Sequence, residues 1–204
     1  FNVGNQTDLR RFAFGFILKK EAEIMELMQL VITGPVGAGK STFIQSVSQI
    51  NVVDTEAKAT DETKDFKAKT TVAMDFGKLR FSPEFAMHLY GTPGQERFDF
   101  MWDLLIRKAH AYILLVGANQ PKQFRSARRI MSFMNQRVQI PMLVGVTHTD
   151  CENAWQLENI RIALGFSPEQ SPLLQPVHPL ETSSVAQMLL TLAQQLYTPE
   201  TAKV

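Results

Sequence analysis

Gly34-Pro35-Val36-Gly37-Ala38-Gly39-Lys40-Ser41-Thr42 is the stretch from which the rest of the chain is read. It satisfies the pattern G-x-x-x-x-G-K-[ST] at every fixed position. An apolar run over 27–33 precedes it and reads as a strand, and residues 42–47 after it read as the start of a helix. Strand, glycine loop and helix in that order form the context in which such a loop cradles phosphate. Gly34, Gly37 and Gly39 permit backbone angles and close approach that a side chain would block. The N–H groups of the loop, from Gly34 through Gly37, Ala38, Gly39, Lys40, Ser41 and Thr42, are then free to turn toward phosphate oxygens at the positive end of a helix. Lys40 is placed to reach the outer phosphates, and the Ser41 hydroxyl to meet Mg²⁺. An ordinary glycine-rich turn is the plainer account, and it would need sequence, spacing and context to agree by accident.

Composition narrows the field. The 204 residues suffice for one domain with a sizeable core, and 45% hydrophobic with 20% charged residues is globular usage. A formal charge of +1 gives no electrostatic case for nucleic acid. The single cysteine, Cys151, excludes an internal disulfide framework and suits a reducing, cytoplasmic setting. No apolar run approaches the roughly 20 residues that span a bilayer. The nearest, over 12–18, is short and lies between Arg10-Arg11 and Lys19-Lys20. There is no prenylation cysteine at the C-terminus and no myristoylation start, so no membrane anchor is expected.

Along the chain, residues 1–24 read as an N-terminal extension, 25–198 as one domain and 199–204 as a tail. The polar stretch over 51–69, dense in Asp, Glu and Lys, cannot bury a core and reads as a mobile loop. Residues 71–80 and 85–90 read as two strands joined antiparallel by the turn at 82–84, and helical spacing follows over 95–109. The continuous apolar runs over 111–116 and 140–146 suit parallel strands buried on both faces. Helices are expected over 122–138, 153–164 and 184–196, with a weak strand over 173–177. The order βαββαβαβαβα implies an α/β fold with a mostly parallel six-stranded sheet and helices on both faces.

The phosphate loop, Thr71, Gly91-Thr92-Pro93-Gly94-Gln95-Glu96 and Thr147-His148-Thr149-Asp150 fall in the order of the Ras-like small GTPases. The chain resembles that P-loop superfamily over about residues 27–198. Residues 70–77 and 90–98 look closest to a bacterial branch often labelled ATP/GTP-binding proteins and related to the MglA-type GTPases. The resemblance implies that Thr71, or Thr70 one residue earlier, closes on Mg²⁺ and the γ-phosphate. It implies that the Gly94 N–H meets the γ-phosphate and that Gln95 orients the attacking water. It also implies that Thr147, His148 and Asp150 read the base, the Asp150 carboxylate accepting the N1 and N2 hydrogens of guanine. A plainer role for Asp150 is to cap the helix expected from Asn153.

The chain departs from the family at three places. Gly91 stands where the family has its metal-side Asp, and another acid such as Asp75 is needed to replace it. His148 replaces the lysine that lies along the base. The fifth motif, expected near 179–183, is a poor match there. No arginine finger is visible in the polar loop, so an activating partner is implied, with Arg97 the only nearby arginine and a surface role its simpler use. The expected function is a GTP/GDP switch with Mg²⁺, slow intrinsic hydrolysis, a protein effector and a roadblock-type activator. A P-loop ATPase or kinase-like phosphotransferase, and a nucleotide-holding module without turnover, are the alternatives.

Overall fold

The computed structural model describes residues 26–51, 53–54, 74–80, 85–167 and 172–197. The extension over 1–24, Thr71 with Thr70, which were expected to meet Mg²⁺, most of the polar loop, the turn at 82–84 and the tail over 199–204 lie outside these residues. Seven strands form one sheet: β1 (Glu26–Thr33), β2 (Val53–Asp54), β3 (Asp75–Arg80), β4 (Phe85–Gly91), β5 (Ala111–Gly117), β6 (Met142–Thr147) and β7 (Leu174–Pro176). The helices are α1 (Lys40–Val47), α2 (Asp99–Ile106), α3 (Phe124–Asn135), α4 (Leu157–Leu164) and α5 (Thr182–Tyr197).

The strand order is β2-β3-β4-β1-β5-β6-β7. Every pairing is parallel except β3 with β4 and β2 with β3. The six expected strands are all present. The two-residue β2 is an addition at the edge, where the sequence suggested only loop: Val53 and Asp54 are strand because they pair with Phe76 and Asp75.

Alternation along the central strands sorts side chains between two cores. Leu30, Ile32, Ile113 and Leu115 pack with Phe43 and Ile44 of α1 and Val185, Met188, Leu189 and Leu192 of α5. Val31, Tyr112, Leu114 and Val116 face the opposite way, onto Trp102 and Leu105 of α2, Ile130 and Met134 of α3 and Ile160 and Leu164 of α4. Both faces of β5 are therefore covered, which is why its run is continuously apolar and every residue of it is buried.

One helix start differs from expectation. α4 begins at Leu157, not near Asn153, because the Trp155 N–H donates to the Ala118 carbonyl and Gln156 is extended. Asp150 therefore does not cap it. α4 closes at Gly165, whose φ of 85° gives the expected left-handed stop.

Candidate functional site

β1 pairs with β4 on one side and β5 on the other, so chain order reverses at its C-terminal end. Open α/β sheets form their binding crevice at such a switch point. The segments after β1, β4, β5, β6 and β7 all gather at this end, and they carry every described motif.

The phosphate loop joins β1 to α1. Gly34 has φ 144°, and a Cβ there would stand 2.2 Å from the Leu115 carbonyl oxygen, so only glycine fits. The N–H of Phe43 closes the first turn of α1 on the Gly39 carbonyl, 2.9 Å away. Lys40 is buried, and its Nζ donates to the carbonyls of Gly34 at 2.9 Å and Pro35 at 2.8 Å. Burial lowers its pKa from 10.5 to about 8, against the opposing pull of Asp75. Ser41 is exposed and Thr42 half-buried at the start of the helix.

Asp75 at the start of β3 lies beside the start of α1. The Ser41 hydroxyl donates to Asp75 Oδ2 at 2.6 Å. Asp75 pairs with Gly91 across β3 and β4. A Cβ on Gly91 would come within 2.9 Å of Asp75 Cβ and 2.9 Å of Ile44 Cδ1. The space beside Gly91 is taken by the Asp75 carboxylate of β3. A serine hydroxyl beside one carboxylate is a donor set that fits Mg²⁺, which takes few protein ligands and keeps waters and phosphate oxygens. Among the described residues no group of three or more His, Cys, Asp or Glu gathers to hold a metal by itself.

The segment after β4 lies against the phosphate loop. Thr92 is buried: its N–H donates to the Ile32 carbonyl at 2.9 Å and its hydroxyl to Thr33 Oγ1 at 2.8 Å. The indole N–H of Trp102, a buried α2 residue, donates to the Pro93 carbonyl at 2.8 Å. Gly94 follows, at the phosphate loop, and Gln95 is exposed beyond it. Arg97 is exposed, with its guanidinium 4.8 Å from the Phe98 ring centre, as the surface reading expected.

At the end of β6, buried Thr147 places its hydroxyl between the carbonyls of Ala38 at 3.2 Å and Val116 at 3.3 Å, tying β6 to the phosphate loop. His148 has φ 56° and its Nε2 donates to the Gly37 carbonyl at 3.3 Å. The imidazole thus straps the loop after β6 to the phosphate loop. Asp150 is exposed at the turn, with Oδ2 3.9 Å from His178 Nε2. His178, after β7, went unnoticed in the sequence because it lies just outside the 179–183 range expected for the fifth motif, of which Pro179 is the first residue. Pro179 packs on the backbone at Gly39, its Cγ 3.0 Å from where a Cβ would be. The loop after β7 thus meets Asp150 through His178 and the phosphate loop through Pro179.

A glycine phosphate loop at the switch point, opening a helix, with β3 antiparallel and the rest parallel, defines a Ras-like P-loop nucleotide-binding fold. The chain belongs to the family described as conserved hypothetical ATP binding protein, whose profile matches residues 32–201. An uncharacterized protein of Methanocaldococcus jannaschii is 29% identical over 93 residues, 46% of this chain. That match spans 53% of the relative, so the chain aligns with about half of its length. Among solved structures, the Arl6 small GTPase of Trypanosoma brucei, with a bound nucleotide analogue, superposes with a TM-score of 0.64 at 15% identity. The alignment covers 84% of this chain and 98% of that one, and at such identity it speaks for the fold.

Proposed function

We propose that this protein is a nucleotide-dependent switch that binds GTP and GDP with Mg²⁺ and hydrolyses GTP slowly. The observation that supports it best is the 2.6 Å bond from Ser41 to Asp75 beside the phosphate loop. It supplies the metal-side carboxylate that Gly91 lacks, so the departure from the Ras-like pattern leaves the pattern's chemistry in place. Gly37, Ala38, Gly39, Lys40, Ser41 and Thr42 hold the phosphates, and Ser41 with Asp75 holds Mg²⁺. When bound, Mg²⁺ neutralises charge on the outer phosphates. Gln95, exposed after Gly94, positions water for attack on the γ-phosphate. Thr147 and His148 lock the base loop to the phosphate loop, and the Asp150 carboxylate takes the paired donors of guanine, which adenine lacks.

In the described part of the Gln95 segment, Arg97 is exposed and Arg107 pairs with Asp103. The reading includes slow turnover, a protein activator of roadblock type, as the resemblance to MglA-type GTPases implies, and an effector that reads the nucleotide state in the cytoplasm. Among the described residues no helix is long and apolar enough to cross a membrane.

An adenine nucleotide is the second reading. The family's description names ATP. Pro179, against Gly39 where the base loops meet, also has no N–H to give to a base carbonyl. Competition between GDP and ADP for nucleotide-free protein with Mg²⁺ decides between them. A strong GDP preference supports Asp150 as the guanine reader. Equal binding or an ADP preference overturns that assignment and leaves the phosphate loop standing. Gln95→Leu separately tests turnover: single-turnover hydrolysis should slow sharply, and an unchanged rate would remove Gln95 from the catalytic role.

A further inference from the structure

Two helices that supply no residue to the candidate nucleotide site adjoin on the surface. The stretch 121–137, which contains α3, carries Lys122, Arg125, Arg128, Arg129 and Arg137 and no Asp or Glu. Arg137 is taken up by Asp103 of α2 at 2.6 Å. Lys122, Arg125, Arg128 and Arg129 are all exposed. α3 buries Phe124, Ala127, Ile130 and Met134, so spacings of three and four put Arg125, Arg128 and Arg129 together on its outward face. The whole chain has a formal charge of only +1, so this concentration of cations is local. Beside it, Trp155 is 42% exposed and Ile162 of α4 is 65% exposed. With Ala154, Gln156, Asn159 and Ala163 they line a cleft of about 480 Å³.

The cations and the cleft are neighbours at both ends. The Trp155 ring packs edge-on against Phe124, the first residue of α3, with ring centres 5.4 Å apart. Past the end of α4, the Arg128 guanidinium reaches to within 3.4 Å of where a Cβ on Gly165 would stand. Glu152 and Glu158 are the exposed acids nearby in sequence, and Glu158 is held by Arg161 at 3.2 Å. A lone exposed isoleucine or a row of arginines is ordinary surface. Tryptophan and arginine side by side around an apolar cleft are the residue types that anchor protein interfaces.

We propose that the α3–α4 face is a docking surface for a protein segment that presents carboxylates around an apolar anchor, as an acidic amphipathic helix does. The anchor side chain enters the cleft at Trp155 and Ile162, and the carboxylates meet Arg125 and Arg128. Charge complementarity selects an acidic partner and rejects a basic one. The concave, apolar cleft selects a side chain over a flat lipid surface, for which the cations alone would suffice. No residue of the cleft belongs to the nucleotide site, so the inference stands apart from the identity of the nucleotide.

The probe is a phage-displayed library of random peptides of helical length, selected on the full chain. Enriched sequences are then synthesised with a fluorescent label and titrated by anisotropy. They should combine Asp or Glu with Leu, Ile, Phe or Trp. Ile162→Glu and the double variant Arg125→Glu/Arg128→Glu should each weaken them about tenfold or more. High salt should shrink the wild-type advantage over the arginine variant, because exposed charges are screened. All three positions are exposed, so the variants should fold, and urea melts check this. If a charge reversal does not fold, Ile162→Ser and Arg125→Gln/Arg128→Gln take its place. No enrichment, enrichment without acidic residues, or equal binding by the folded variants overturns the proposal. Sedimentation with phosphatidylglycerol vesicles, in the absence of any peptide binding, would make the face a lipid surface instead and overturn it as well.

Discussion

Asp75 and Gly91 compete for one space. Asp75→Ala should weaken nucleotide binding in Mg²⁺ by about tenfold or more while leaving binding in EDTA unchanged, since the lost carboxylate acts through the ion. Gly91→Asp alone should destabilise by about 1–3 kcal/mol, the usual cost of overpacking, because its Cβ meets Asp75 and Ile44 at 2.9 Å. The double variant Asp75→Ala/Gly91→Asp should recover both Mg²⁺-linked affinity and stability relative to the single changes. Additive losses in a titration and a urea melt would show that the two positions do not exchange roles. Asp75 was already a candidate in the sequence as a nearby acid. What the sequence could not supply was the register that sets it opposite Gly91, because strand register depends on pairing across the hairpin. His178 stayed hidden for a related reason: its place beside Asp150 is made by the end of a distant strand.

The elements most legible in the sequence were those whose local pattern and tertiary role agree. β5 and β6 are apolar because both faces are covered, and α1 follows its glycine loop. Elements whose ends depend on remote partners were less legible: β2 exists through two pairings, and α4 starts four residues late because Trp155 bonds Ala118. The α2–α3 contact is of this kind. Arg137 donates to Asp103 at 2.6 Å, its guanidinium lies 3.3 Å from the Phe133 ring centre, and Phe133 supports Trp102. The bonds from Arg107 first, and from Arg137 next, hold the Asp103 carboxyl below the usual carboxylate range. Exposed ion pairs contribute little and a stacked guanidinium adds modestly, so Arg137→Ala should cost about 1 kcal/mol. A urea melt checks the size, and most of the loss should survive high salt because the stacked part is not screened. A loss erased by salt would assign the contact to the ion pair alone.

At the scale of the whole molecule, the buried Lys40 ammonium makes nucleotide binding and stability oppose one another. Burial sets the folded pKa near 8, below its ordinary 10.5. Below about pH 8 the fold carries a charged, desolvated ammonium at a cost. Between about 8 and 10.5 the unfolded chain holds more of this proton than the folded one, so stability rises with pH across that window. The contribution, order of magnitude about 3 kcal/mol, is present above the unfolded value and lost as pH falls through the folded one. Other lysines titrate there too, so the measurement is a difference. Wild-type stability minus that of Lys40→Met, from urea melts of nucleotide-free protein, should grow as pH climbs from 8 to 10.5. A flat difference would mean that Lys40 carries no buried charge. Phosphate reverses the sign: bound anion favours the ammonium and draws its pKa back up. Binding above about pH 8 must therefore take up a proton, and pyrophosphate affinity should fall by up to about tenfold per pH unit. The fold gives up stability at neutral pH to keep a charged amine out of water, and the ligand that matches that amine restores it.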